Sequence, residues 1–241
     1  MIETGGTMKV YDGLNEIEKS WYEMLKWGIE ERQTSFSCEG LVSPEWINFI
    51  LKAILVDNPQ LFWFQGKWNL ENRQGNSNMH LIYSHTEEEI LRGTEELRQC
   101  VKEFRGTEER NPYEQARYLY DRLRESVSYG MSKSHGQTAY DALVRKEAVC
   151  KGLSKAYQLL LADAGIACTL AEGTIDGVAK HTWNVMQIGC ERYNVDVALG
   201  YEEFSYLFTE ERRFDKYRCF AVSDEIIRLT NRFTDKENRI L

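Results

Sequence analysis

Three observations in this sequence predict an α+β fold. Apolar residues recur at helical spacing through most of the first 107 residues. Cys150 opens a further helix-periodic stretch, CKGLSKAYQLLLADAGI, closed by Gly165 just past its last turn. Residues 181–197, HTWNVMQIGCERYNVDV, then read as two short strands around a tight turn.

The bulk composition is compatible with such a fold and narrows the options. A chain of 241 residues with 42% hydrophobic and 28% charged residues is globular in balance and long enough to bury a core without disulfide staples. The formal charge of -8, with both signs interleaved, speaks against a nucleic-acid partner. Six scattered cysteines form no CxxC pair, which argues against a zinc ribbon or a redox dithiol and for free thiols. The first residues lack the basic start and apolar core of a leader peptide. The longest apolar run, Trp46 to Val56, is interrupted by Asn48 and Lys52, so no membrane span is expected. A cytoplasmic protein is the reading as written, or a secreted one if a leader has been removed.

In chain order, Asn15 to Arg32 reads as a helix with Ile17, Trp21, Met24, Leu25 and Gly28 along one side. Ser43 followed by Pro44 starts the next helix, striped by Ile47, Ile50, Leu51, Ile54 and Leu55 and ended by Asp57-Asn58-Pro59. Leu61 to Leu70 and Met79 to Ser84 read as strands around Gly75-Asn76-Ser77-Asn78. Thr86 and Glu89 form a capping box ahead of a helix faced by Ile90, Thr94, Leu97, Val101 and Phe104. After the polar stretch Gly106 to Asn111, Pro112 opens a helix with Ala116, Leu119, Tyr120, Leu123 and Val127 on its inner side. A boundary near residue 108 divides the chain into a mostly helical N-terminal annex, 1–107, and a core, 108–241.

The chemistry concentrates in that core. At the first turn of a helix, unsatisfied N–H groups and the positive end of the macrodipole favour a thiolate at Cys150 over a thiol. Taken alone, such a cysteine is more often a small core residue. In the hairpin, a turn at Gly189-Cys190 places Asp196 opposite Trp183, and His181 shares Trp183's face. His181 and Asp196 are then diagonal neighbours, about 7–8 Å apart at the backbone and within side-chain reach. A slip of one residue would put them on opposite faces, so the pairing register is a test. A lone strand histidine is more often structural, but the three residues together have the logic of nucleophile, base and orienting group.

Three ordered blocks carry a family resemblance: Ala148-Val149-Cys150-x-Gly152 leading into a helix, His181-x-Trp183-Asn184, and Tyr193-x-Val195-Asp196. They resemble the transglutaminase-like superfamily of cysteine acyltransferases and proteases, its bacterial members in particular. The likeness covers about residues 112 to 210, with Ala139–Leu143 and Tyr206-Leu207-Phe208 as weaker flanking echoes. It implies a papain-like α+β core in which the cysteine helix packs on an antiparallel sheet. It also implies Cys150 as nucleophile, His181 as general base and acid, and Asp196 as the orienting carboxylate, acting on a protein or peptide substrate. Lys151 and Leu153 depart from common family neighbours, and Val144 stands where a papain-type glutamine would. The backbone N–H of Cys150 is then one oxyanion donor, with Gln137 or Tyr140 as options for a second.

Nothing in the chain calls for a cofactor or a metal: GxGxxG, GxxxxGK and HExxH motifs are all missing. His80 and His85 read as surface or structural, as does His135 in the polar loop Ser132–Gly136. The expected activity is thiol-dependent acyl transfer on amide bonds. A peptidase or amidase is favoured over a cross-linking transglutaminase, since no DxDxDG calcium loop or other device selects an amine over water. The alternative is a non-catalytic peptide- or glycan-binding module on the same fold, against which the retention of all three residues counts.

Overall fold

The computed structural model describes residues 8–73, 75–107, 109–130, 136–175, 179–200, 220 and 239–240. Their contacts fall into two units, one of Lys9–Thr94 and one that runs from Glu95 onward.

In the first unit, Asn15 caps α1 (Glu16–Glu30) through a capping box with Glu18, and Ser43 with Pro44 starts α2 (Pro44–Asp57). The α2 stripe is buried as expected at Ile47, Ile50, Leu51 and Ile54. The face of α1 differs from expectation. Tyr22, Leu25, Gly28 and Ile29 are buried, whereas Ile17 is 68% and Met24 38% exposed. The cause is polar: Asp57 at the end of α2 accepts from the Tyr22 hydroxyl at 3.2 Å and from the N–H groups of Val10 and Tyr11. That anchor rotates the neighbouring stripe of α1 inward.

The strands of this unit also shift from where composition put them. β2 is Trp68–Arg73 and β3 is Asn76–Leu81, paired as a hairpin so that Arg73 faces Asn76. The aromatic run Leu61–Phe64 is buried but folds as turns, closed by Leu61 N–H to Asn58 and Phe64 N–H to Leu61. A strand that composition did not announce, β1 (Ser35–Glu39), pairs with β3, giving the sheet order β1-β3-β2.

The Thr86–Glu89 box forms as expected and starts α3 (Glu87–Arg105). From Glu95 onward this helix belongs to the second unit, where Leu97, Val101 and Phe104 are buried. There Asn111 caps α4 (Pro112–Ser126), whose Ala116, Leu119, Tyr120 and Leu123 face inward. Short parallel strands β4 (Ser128–Tyr129) and β5 (Glu147–Ala148) flank α5 (Ala139–Leu143). Next come α6 (Cys150–Asp163) and the strands β6 (Ala167–Ile175), β7 (Ala179–Ile188) and β8 (Glu191–Val195). With β9 (Arg239–Ile240) they form an antiparallel sheet in the order β8-β7-β6-β9.

Helix α6 is the hub of this unit. Leu153, Ala156, Tyr157, Leu160 and Leu161 are buried, and the Tyr157 hydroxyl donates to the Ala116 carbonyl of α4 at 2.9 Å. Its other side packs on β6 and β7. Gly165 takes φ +74°, the left-handed turn that ends the helix. The result is an α+β unit with one central helix laid on an antiparallel sheet. No helix among the described residues is long and apolar enough to cross a membrane.

Candidate active site

Cys150 is the first residue of α6, preceded by Val149, which offers no side-chain cap, and followed by a first turn free of acidic residues. Nothing on the helix itself competes with a thiolate for the positive end of the dipole. The approach to this turn is tightly built. Val149 N–H donates to the Gly136 carbonyl at 3.0 Å, and Gly130 N–H to the Ala148 carbonyl at 3.1 Å. A Cβ on Gly152 would lie 2.3 Å from the Gly136 oxygen and 2.9 Å from the Ala148 Cβ. Glycine at this place in the helix is therefore required by a neighbouring backbone, despite its cost in helix propensity.

The hairpin has the expected register. Asn184 faces Val195 and Ile188 faces Glu191 across the Gly189-Cys190 turn, which puts Asp196, one residue past β8, across from Trp183. His181 Nε2 lies 2.7 Å from Asp196 Oδ2. Both groups are buried, His181 at 4% exposure and Asp196 at 0%. Asp196 Oδ1 accepts from the Leu199 N–H at 3.1 Å, so both carboxylate oxygens are engaged. Trp183 packs beside the pair with its ring near-parallel to the imidazole, its indole N–H held by Asn194 at 2.9 Å.

The thiol of Cys150 comes from another element to lie beside His181, close enough to favour the charged form of its ring. Asp196 holds Nε2, so any proton exchanged with sulfur passes through Nδ1. Burial works against a charged imidazole here. The charge and hydrogen bond of Asp196, helped by Cys150, outweigh it and push the His181 pKa up to about 10. Cys168 lies in a contrasting setting. Although part of that residue reaches the surface, desolvation around its sulfur pushes the thiol up to about 12, with only the Asn184 amide opposing.

Residues 98–197 match the family profile of the transglutaminase-like superfamily. The chain carries a transglutaminase-like domain. The match runs from within α3 to the residue after Asp196, so it takes in Cys150, His181 and Asp196 together. Among curated proteins, none matches the chain. Among solved structures, it is loosely similar to a TGase, at 10% identity and a TM-score of 0.40 over 68% of this chain and 50% of the other. It is similar at 13% identity and a TM-score of 0.36 to a candidate cysteine protease from Cytophaga hutchinsonii, over 55% of this chain and 61% of that one. A candidate protease from Parabacteroides distasonis is similar at 11% identity and 0.34, over 56% and 36%. The chain thus spans about half the length of the first of these structures.

Around Cys150, His181 and Asp196, the other expected positions sort out plainly. Tyr140 commits its hydroxyl to Glu96 Oε2 at 2.6 Å, while Gln137 is half-buried beside Gly136, the residue hydrogen-bonded to Val149. His80 is exposed and His85 packs edge-on against Phe62. His135, Cys219 and the Tyr206–Phe208 echo lie outside the described residues. Among the described residues no group of histidine, cysteine and carboxylate side chains is placed to hold a metal.

Asp141 is a further buried group near the site, and the spacing Thr138-x-x-Asp141 has the capping-box form that marks it in the sequence. Its carboxylate accepts from Thr138 N–H and Oγ1, from Arg145 and from the Gly136 N–H. Burial alone would raise its pKa; these donors hold it below the usual carboxylate range. The buried anion thereby fixes the Gly136 segment against the start of α6.

Proposed function

We propose that the transglutaminase-like domain is a thiol-dependent acyl-transfer enzyme in which Cys150 is the nucleophile, His181 the proton carrier and Asp196 the orienting carboxylate. The observation that carries this reading is the buried 2.7 Å pairing of His181 Nε2 with Asp196 Oδ2, with the Cys150 thiol beside the same imidazole. A carboxylate on one ring nitrogen orients the ring for the other to exchange a proton with sulfur and stabilises the imidazolium that results.

The steps follow from these positions. Sulfur adds to the carbonyl carbon of a peptide or other amide while the positively charged ring stands beside it. The resulting oxyanion is met by N–H groups at the start of α6, with Gln137 as the second donor we assign. Imidazolium Nδ1 then protonates the leaving amine, the C–N bond breaks and a thioester remains on Cys150. Cys150 is half-buried while its partners are fully buried, so that thioester is open to solvent. Water is therefore the acceptor we favour, which makes the domain a peptidase or amidase in preference to a cross-linking enzyme.

The test is alkylation of Cys150 by iodoacetamide, mapped by peptide. Cys150 is expected to react near neutral pH well ahead of Cys168, whose thiol is pushed up to about 12. Asp196→Asn is expected to keep the fold, slow that alkylation and reduce hydrolysis by roughly three to four orders of magnitude. Equal alkylation rates in wild type, Asp196→Asn, His181→Ala and the double variant, with unchanged melting, would end the reading.

A further inference from the structure

We infer that Ser154 and Asn184 are positioning residues, a two-point clamp that sets the offset between the Cys150 helix and the His181 strand. This rests on the triad reading above and adds to it the device that brings thiol and imidazole into reach. Ser154 lies one helical turn beyond Cys150, a rise of about 6 Å, and Thr182 is the residue after His181. Ser154 Oγ donates to the Thr182 carbonyl at 2.9 Å, and Asn184 Nδ2 donates back to the Ser154 carbonyl at 2.9 Å. The same amide reaches Cys168 Sγ of β6 at 3.5 Å. One helix residue is thus gripped from two points of β7 on either side of Trp183, which fixes both slide and rotation.

The apolar contacts of α6 cannot do this. Leu153, Ala156, Leu160 and Leu161 gain from burial at many small offsets, because burial has no direction. A hydrogen bond has one, and a misplacement of about 1 Å between reacting groups costs on the order of a hundredfold in rate. Asn184 also carries a sign that stability is not its whole purpose. It is 0% exposed, and its Oδ1 is a buried acceptor with no hydrogen-bond partner among the described residues. A side chain kept only for packing would be apolar here, or satisfied at both ends.

The experiment follows Cys150 alkylation by iodoacetamide from about pH 5 to 9, together with melting curves, in seven proteins. These are wild type, Ser154→Ala, Ser154→Thr, Asn184→Leu, His181→Ala, Asp196→Asn and Thr169→Val. Thr169 is the control: buried at 1%, on β6, with a hydroxyl that has no partner among the described residues and bonds to neither clamp residue. Ser154→Ala and Asn184→Leu are expected to move the pH profile toward that of an ordinary thiol, slowing alkylation near pH 6 by about tenfold. Ser154→Thr, which keeps the hydroxyl, is expected to restore most of the rate. Thr169→Val should leave the profile alone whatever it does to melting. A Ser154→Ala profile identical to wild type overturns the clamp while a slowed His181→Ala leaves the triad standing. A Thr169→Val shift as large as that of Ser154→Ala also overturns the clamp, because the effect would then follow burial. A wild-type profile identical to that of His181→Ala overturns both readings together.

Discussion

His181 and Lys155 are both buried bases, and their neighbours push them in opposite directions. Desolvation opposes charge on His181, yet Asp196 and Cys150 carry its pKa from 6.5 to about 10. The folded state thus holds that proton more tightly than the unfolded chain, so the stabilisation is full below pH 6.5 and is lost as pH rises through 10. Denaturant melts of wild type and His181→Gln should therefore show a gap of a few kcal/mol, roughly, near pH 6 that closes toward pH 10. Lys155, 8% exposed on the second turn of α6, is lowered from 10.5 to about 8, first by burial and then by the charge of Lys151, with Glu172 and Asp141 opposing. Here the unfolded chain binds the proton more tightly. The charged amine therefore weakens the fold below pH 8, and that weakness is relieved between pH 8 and 10.5. Lys155→Met is expected to raise stability at pH 7 by about 1–3 kcal/mol. Its advantage over wild type should shrink as pH climbs past 8, read as the difference in melting temperature. A constant advantage across that range would mean the amine is not desolvated in the fold.

At the scale of elements, the start of α6 depends on a contact no local rule describes. Gly152→Ala would push a methyl to 2.3 Å from the Gly136 oxygen, which the Val149 N–H holds while Asp141 holds the Gly136 N–H. The helix gain of alanine over glycine, about 1 kcal/mol, is then outweighed by overpacking of about 1–3 kcal/mol. The expected result is a net loss of stability with a slowed Cys150 alkylation; a stabilised protein would show that the Gly136 segment yields. By contrast, the caps at Ser43 and Thr86 were legible in the sequence, because a side chain and an N–H three residues away settle them. The hairpin register was legible for a similar reason: once Gly189-Cys190 turns, parity decides which residues face each other. The aromatic run Leu61–Phe64 has strand composition but folds as turns, since bulky apolar residues suit any buried conformation and the Asn58 carbonyl closes a turn there. β1 was missed because Ser35, Ser37 and Glu39 give a polar strand with little alternation to mark it.

For the whole molecule, the five described cysteines are all free, and the two packed units carry apolar cores without covalent staples. Dithiothreitol is accordingly expected to leave the melting temperature unchanged within about 1–2 °C. A larger fall would place a disulfide in the native protein. The transglutaminase-like match to residues 98–197 was foreshadowed by three short blocks, each legible because its residues are close in sequence. By itself, the sequence determined where most helices begin, that Cys150 opens one of them, and that His181 and Asp196 share a face of one hairpin. Those outcomes rest on capping, periodicity and strand parity, which act over a few residues. Only the tertiary structure decided which stripe of α1 is buried, that Gly136 lies on Gly152, and that Ser154 meets Thr182 and Asn184. Apolar packing is non-directional and leaves many offsets nearly equal, so the choice among them falls to a few long-range polar contacts whose partners sequence distance does not reveal.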